Sequence, residues 1–325
     1  MVKGLKVEGP VILVTGAAGF IGSHTAERLL AAGHRVVGVD NFRTGSRKNL
    51  AGSLAGSAFV FREADVAEPG VLSGLAAEFS PAAIIHLAAL VSVQESISDP
   101  ALNFRLNLGA THEVGEAARR HKIPRVVFAS SAAVYGDGGE APLAEEAPCR
   151  PVSPYGAAKL ASEGLLLGYA AAYGWVARCQ RYFNVYGPRQ DPASPYSGVI
   201  SIFARQYGEG RAATLYGDGA QTRDFISVHD VARANVIAAT RPGLSSGIAN
   251  ICTGQKTSLR RLAAVFGSHY PKVSPPRHAP ARAGDIRHSA GDASRAKAEL
   301  GFEAEWTVEA GLAELIETET PHASH

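Results

Sequence analysis

The sequence predicts an α/β protein built on a doubly wound parallel sheet, with a smaller C-terminal domain that is discontinuous along the chain. Three observations predict it. Short β-branched runs alternate with Ala- and Leu-rich stretches through the first half, the rhythm of βαβ units. Gly16, Gly19 and Gly22 lie between the first such run and the first helical stretch. After Asn184 the texture changes to loops rich in Gly, Pro, Ser and Tyr, up to about Arg223.

Taken in order, the strands are expected at VILVTG (11–16), RVVGVD (35–40), AFVFREAD (58–65), AAIIHLA (82–88), RVVFASS (125–131) and WVARCQRYFN (175–184). Between them SHTAERLLAAGH (23–34) and ALNFRLNLGATHEVGEAARRH (101–121) carry apolar residues near helical spacing, and the second stops before Pro124. ANICTG (249–254) reads as a further strand that returns to the sheet. The expected division is therefore 1–183 plus about 228–256 for one domain, and about 184–227 plus 257–325 for the other.

At 325 residues and 46% hydrophobic content the chain can bury a substantial core. Lys plus Arg number 32 against 30 for Asp plus Glu, so the net charge of +2 gives no whole-protein case for nucleic acid or a membrane surface. The longest apolar stretch (82–93) is broken by His86 and Ser92 and falls short of the ~20 residues a membrane helix needs. Cys149, Cys179 and Cys252 have no metal-ligand spacing, and the first residues carry no signal-peptide pattern, which points to a reduced, cytoplasmic setting. The eleven His form no HExxH, no CxxC is present, and the HASH tail (322–325) is too sparse for a tag, so no metal is expected.

The glycine triplet gives each glycine a task. Gly16 allows the tight turn, Gly19 lets backbone approach a pyrophosphate, and Gly22 lets the helix pack closely, while the anion rests on unpaired N–H groups at the helix N-terminus. Asp40 ends the next strand, eighteen residues after Gly22, where a carboxylate accepts both ribose hydroxyls of an adenosine. A 2′-phosphate there would meet that carboxylate at roughly 4 Å, a repulsion on the order of 4 kcal/mol at an effective dielectric near 20. The loop therefore predicts a Rossmann fold that holds NAD rather than NADP. Arg43, able to pair with such a phosphate, is the counter-evidence.

SPYGAAKL (153–160) puts Tyr155 and Lys159 one helical turn apart, on one face. A phenol with a reference pKa of about 10 is a poor base at neutral pH; a cation close by typically lowers a pKa by ~1–3 units. Lys159 together with an oxidised nicotinamide supplies that field, and Tyr155 then takes the proton of a substrate hydroxyl as hydride leaves the same carbon. Ser131, in FASSAAVYG (128–136) at the C-terminal end of a strand, faces the ligand crevice of such a sheet and is placed to hydrogen-bond the reacting oxygen. YxxxK alone is common; its position behind a nucleotide loop, with the serine between, makes it a catalytic set.

On TGAAGFIG (15–22), Asp40, Asp65, HLAA (86–89), SSAAVYG (130–136), YGAAK (155–159), RYFNVYGPRQDP (181–192), GDGAQTRDFISVHD (217–230) and RAGDIRHSAGDASRA (282–296), the chain resembles the extended short-chain dehydrogenase/reductases of the nucleotide-sugar epimerase group. The likeness is to UDP-glucose and UDP-N-acetylglucosamine 4-epimerases and spans about 11–302. It implies that Phe20, Ile21, Asn41, Val66, Leu87, Ala88, Ala89, Asn107, Ser130 and Tyr182 join the glycines and Asp40 around the dinucleotide, with Asp65 on the adenine amino group. It implies that Asn184, Arg223 and Arg282 hold the UDP diphosphate, and that Val91, Ser92, Tyr216, Asp285 and Ser289 complete the sugar-nucleotide site. Homodimers are usual among such relatives.

The implied reaction is reversible inversion at C4: oxidation to a 4-keto sugar, rotation about the diphosphate, and return of the hydride to the other face. The related 4,6-dehydratases carry an Asp-Glu pair where this chain has Ala132 and Ala133, so dehydration is disfavoured. Ser289, seven residues after Arg282, occupies the position that gates the C2 substituent in the family; a serine leaves room for an N-acetyl group. Acceptance of UDP-GlcNAc/UDP-GalNAc beside UDP-Glc/UDP-Gal is expected. Two alternatives stay open: a UDP-glucuronate 4-epimerase or decarboxylase in the same fold, and a catalytically silent NAD-binding scaffold or sensor.

Overall fold

The computed structural model describes residues 9–139, 141–191, 198–281 and 287–319. Seven strands form one sheet: β1 (Val11–Thr15), β2 (Arg35–Asp40), β3 (Phe59–Glu63), β4 (Ala83–His86), β5 (Arg125–Ser131), β6 (Val176–Tyr182) and an edge strand, Gly247–Ile251. Their spatial order is Gly247–Ile251, β6, β5, β4, β1, β2, β3, and every neighbouring pair is parallel. The order reverses between β1 and β4, and a sheet of this kind opens its ligand crevice there, beyond the carboxyl ends of the strands.

β-branched residues at period two dictate the layering. On one face Leu13, Ile84, Val126 and Phe128 pack with Leu72, Val114 and Leu166 from helices Val71–Phe79, Ala110–His121 and Pro154–Tyr173. On the other, Ile12, Val14, Val36, Ile85 and Val127 pack with Ala26 and Leu29 of helix Phe20–Ala31 and Ala238 of helix Val228–Thr240. A separate apolar cluster lies under helices Val199–Gly208, Leu259–His269 and Val308–Glu319, where Tyr207 stacks on Phe266 with centroids 5.5 Å apart.

Several strands end earlier than the sequence suggests, β1 at Thr15 and β4 at His86 among them, and two show the physical reason. WVARCQRYFN breaks after Tyr182: the Phe183 N–H donates to Ile251 O, the Asn184 N–H to Asp224 O, and Asn184–Tyr186 pairs with Phe225–Ser227 outside the main sheet. AFVFREAD stops at Glu63, because Asp65 folds a turn in which its Oδ1 accepts from the Ala67 N–H at 2.9 Å. The returning strand does reach the sheet, two residues earlier than expected, at its β6 edge.

Candidate active site

A cavity of about 1070 Å³ lies along the carboxyl ends of the strands. At one end is the glycine turn. Gly16 sits at φ +69°, and a Cβ there would meet the Ala88 amide nitrogen at 2.8 Å; a Cβ on Gly22 would lie 1.9 Å from Gly16 O. Gly22 thus lets the first helical turn lie on the loop itself. The helix Phe20–Ala31 begins at Gly19 with no side-chain cap and no acidic residue in its first turn, so its leading N–H groups and dipole face the cavity. These features fit the pyrophosphate of a dinucleotide.

Asp40 lines the same end. Its Oδ2 accepts from the Ala18 N–H at 3.0 Å and its Oδ1 from the Phe42 N–H at 2.8 Å, and the Asn41 and Gly19 N–H groups are also directed at the carboxylate. Burial raises its pKa, and these N–H groups oppose the rise. Arg43 also reaches the wall, but its guanidinium is ion-paired with Glu95 of helix Val93–Ser98. The one basic group that argued for a 2′-phosphate therefore already has a carboxylate partner. Phe20, Ile21, Asn41, Asp65, Val66, Leu87, Ala88, Ala89, Ser130 and Tyr182 all line the cavity. Asp65 is also paired with Arg105 at 2.9 Å.

Asn107 departs from expectation. It is buried behind the wall, where its Oδ1 accepts from the Leu90 N–H and its Nδ2 donates to Leu90 O, both at 3.1 Å. Its amide is consumed in shaping the loop after β4 and does not reach the cavity surface.

Ser131, Tyr155 and Lys159 line the same cavity. Helix Pro154–Tyr173 starts with Ser153, whose Oγ accepts from the Gly156 N–H, and with proline at its first position. Tyr155 and Lys159 share its inward face. Ser131, the last residue of β5, neighbours the Tyr155 hydroxyl, and its Oγ accepts from the Ala133 N–H at 3.2 Å. The Lys159 ammonium donates to Ala129 O at 2.8 Å and stands 5.9 Å from the Tyr155 ring centroid. Burial pushes the Lys159 ammonium down to about 7, against the pull of Glu163. Burial likewise raises Tyr155, opposed by the neighbouring Ser131 hydroxyl. With protein groups alone, then, the phenol stays protonated at neutral pH.

At the far end Val91, Ser92, Asn184, Arg223 and Ser289 line the cavity beside Ala132 and Ala133. Ser289 sits opposite Arg223 in the pairing of His288–Ser289 with Thr222–Arg223. The Asp224 carboxylate turns inward to accept from Thr253 and the Gly254 N–H, so a surface pair with Arg223 is not its role. Tyr216, half-buried on strand Thr214–Tyr216, is absent from the described cavity wall. Arg282 and Asp285 lie outside the described residues, as does the HASH tail.

Two contributors lie outside the site residues expected from the sequence. Thr15 Oγ1 accepts from the Leu87 and Ala88 N–H groups at 3.1 Å each, so its own proton goes to His86 Nδ1 at 2.8 Å; together they hold the loop that faces Gly16. Arg189, at φ +70°, lines the cavity and straps its segment to Glu27 of the first helix with bonds of 2.8 and 2.9 Å.

The model of the NAD dependent epimerase/dehydratase family matches residues 12–252. A UDP-glucose 4-epimerase of Mycolicibacterium smegmatis is 40% identical over 306 residues, covering 94% of this chain and 97% of that protein. The structure of UDP-N-acetylglucosamine 4-epimerase from Methanobrevibacter ruminantium, in complex with UDP-N-acetylmuramic acid, aligns with a TM-score of 0.89 at 32% identity over 95% of this chain and 97% of that one. The Thermus thermophilus UDP-glucose 4-epimerase, complexed with NAD, aligns with a TM-score of 0.85 at 35% identity over 97% and 100%. With a glycine cradle, an acidic strand end and a Ser/Tyr/Lys group along one crevice, the chain belongs to the NAD dependent epimerase/dehydratase family.

Proposed function

We propose that this protein is an NAD-dependent UDP-hexose 4-epimerase. The observation that carries the reading is that Ser131, Tyr155 and Lys159, the last with its ammonium on Ala129 O at 2.8 Å, line one cavity with the glycine cradle and with Asn184, Arg223 and Ser289. NAD, when bound, supplies reversible hydride acceptance. Tyr155 takes the proton of the sugar 4-hydroxyl and later returns it; Ser131 holds that oxygen through a hydrogen bond; Lys159 stabilises the phenolate electrostatically. Arg223 and Asn184 grip the diphosphate while the 4-keto sugar turns over. Ala132 and Ala133 offer no acid or base to expel water, which supports inversion over dehydration.

Ser289 on the wall supports acceptance of UDP-GlcNAc/UDP-GalNAc as well as UDP-Glc/UDP-Gal. The exposed apolar residues Phe104 and Tyr173, on the segments flanking and including the Tyr155 helix, support a homodimer. Three free cysteines support a cytoplasmic setting. The two lobes divide as 1–183 plus about 228–256, and about 184–227 plus 257–325, in keeping with the separate apolar clusters.

The test is interconversion of both sugar pairs by purified protein with no added cofactor. Turnover of at least one pair, abolished in Tyr155→Phe, is expected. Absence of any inversion while NAD and UDP-sugar are both bound would leave a silent binder as the correct reading.

A further inference from the structure

Helix positions 155, 159 and 163 lie one turn apart, and all three reach the same strand end. The Tyr155 hydroxyl neighbours the Ser131 side chain, Lys159 donates to Ala129 O, and Ser130 Oγ donates to Glu163 Oε1. Three consecutive residues of β5 thus engage three successive turns of the helix. Glu163 is the odd member, because it is 1% exposed and lies too deep to touch a ligand. Its carboxylate also accepts from Arg181 Nε at 2.9 Å and Nη2 at 2.7 Å. Arg181, on β6, is buried too, stacked 4.8 Å over the Tyr135 ring and donating to Glu145 O.

A buried ion pair is weak evidence for stability, since desolvating two charges offsets their attraction. Its place here points instead to a task at the neighbouring ammonium. We propose that Glu163 is a positioning residue for the proton-transfer pair: clamped by Arg181 and Ser130, its carboxylate fixes the helix on β5 and supplies the negative charge that keeps Lys159 an ammonium. The inference rests on the Tyr155/Lys159 chemistry proposed above.

The groups facing Lys159 are few. Its own helix offers Tyr155 and Glu163. β4 offers His86, which burial holds down to about 3 and therefore uncharged in the working range. β5 offers the Phe128 ring, 4.8 Å from the ammonium, and the Ala129 carbonyl. β6 contributes charge through Arg181, whose guanidinium is turned to Glu163. Among these, Glu163 is the carboxylate that acts against burial of the ammonium.

The test is kcat and KM for sugar interconversion against pH in Glu163→Gln, which keeps the side-chain shape and removes the charge. The alkaline limb of kcat is expected to move toward acid by about one pH unit, so that activity at mildly alkaline pH falls ~10-fold and recovers on acidification. KM for the UDP-sugar stays within about twofold. Glu163→Asp, which restores the charge, is expected to restore the wild-type limb even if kcat is reduced. Because Glu163→Gln strands Arg181, the double variant Glu163→Gln/Arg181→Gln is measured beside it, and the same acidward limb is expected. A limb unmoved in whichever of these folds and retains NAD overturns the inference, as does a Glu163→Asp limb displaced as far as that of glutamine. Tyr155→Phe separates the two layers. If it still interconverts sugars, the underlying chemistry is wrong; if it is inactive while Glu163→Gln keeps the wild-type profile, only the role of Glu163 is wrong.

Discussion

Lys159 should be a residue whose removal costs activity and adds stability. It is 4% exposed, and burial takes its ammonium from an ordinary 10.5 to about 7. At about 1.4 kcal/mol for each pH unit, that displacement is a penalty on the order of 5 kcal/mol for folding with the charge in place. Lys159→Met keeps the apolar stem and removes the charge, but leaves Ala129 O without its donor, at a cost of about 1–3 kcal/mol. A net gain of about 2–4 kcal/mol follows, and, for a chain of this length, a thermal midpoint higher by roughly 3–6 °C.

The sign against pH is fixed. Below about 7 both folded and unfolded chains carry the proton and the penalty is complete. Between about 7 and 10.5 the unfolded chain binds more protons, so wild-type stability rises with pH and the advantage of the variant shrinks, crosses zero and ends about 1–3 kcal/mol in favour of wild type, the cost of the lost donor. The assay is thermal unfolding of wild type and Lys159→Met at several pH values, on protein freed of dinucleotide, since unequal ligand binding adds its own linkage. A variant less stable than wild type near pH 6, or an offset that stays constant from acid to alkaline pH, refutes the reasoning.

Three other outcomes are expected. Gly22→Ala forces a Cβ to within 1.9 Å of Gly16 O, and the resulting shift of the helix start, costing about 1–3 kcal/mol, should appear as loss of co-purifying NAD, read by nucleotide release on denaturation. Glu95→Gln frees Arg43 from its ion pair and should weaken discrimination against NADP by ~5-fold in competition binding, the scale of a surface pair. Ser289→Tyr should abolish turnover of UDP-GlcNAc while UDP-Glc survives; retention of the N-acetyl substrate in the tyrosine variant shows that this position is not the gate.

The parallel sheet, the glycine turn and the Tyr155 helix were legible because each depends on local chemistry: β-branched runs, residues that must lack a side chain, and the one-turn spacing of Tyr155 and Lys159. Asp40 and Ser131 were legible because strand ends face the crevice. What stayed hidden was set by contacts distant in sequence. Whether Asn107 reaches the cavity depends on the loop at Leu90 that takes up its amide. Arg43 looked like a phosphate reader until Glu95, from another helix, stood beside it. Thr15 reads as one more β-branched strand residue, and only the fold brings it to His86. The pause after Tyr182 has no composition signal, because it is imposed by Ile251 and Asp224.

The edge strand Gly247–Ile251 has a consequence for how the molecule is made. Synthesis runs from the N-terminus, so six strands leave the ribosome before the seventh, and the outer rim of β6 has no partner until residue 251 has emerged. During that interval the rim is a ready template for pairing with another nascent chain. The intervening residues include helix Val228–Thr240, which packs against helix Phe20–Ala31. Truncation anywhere between these segments should therefore yield aggregates rather than a working half-enzyme.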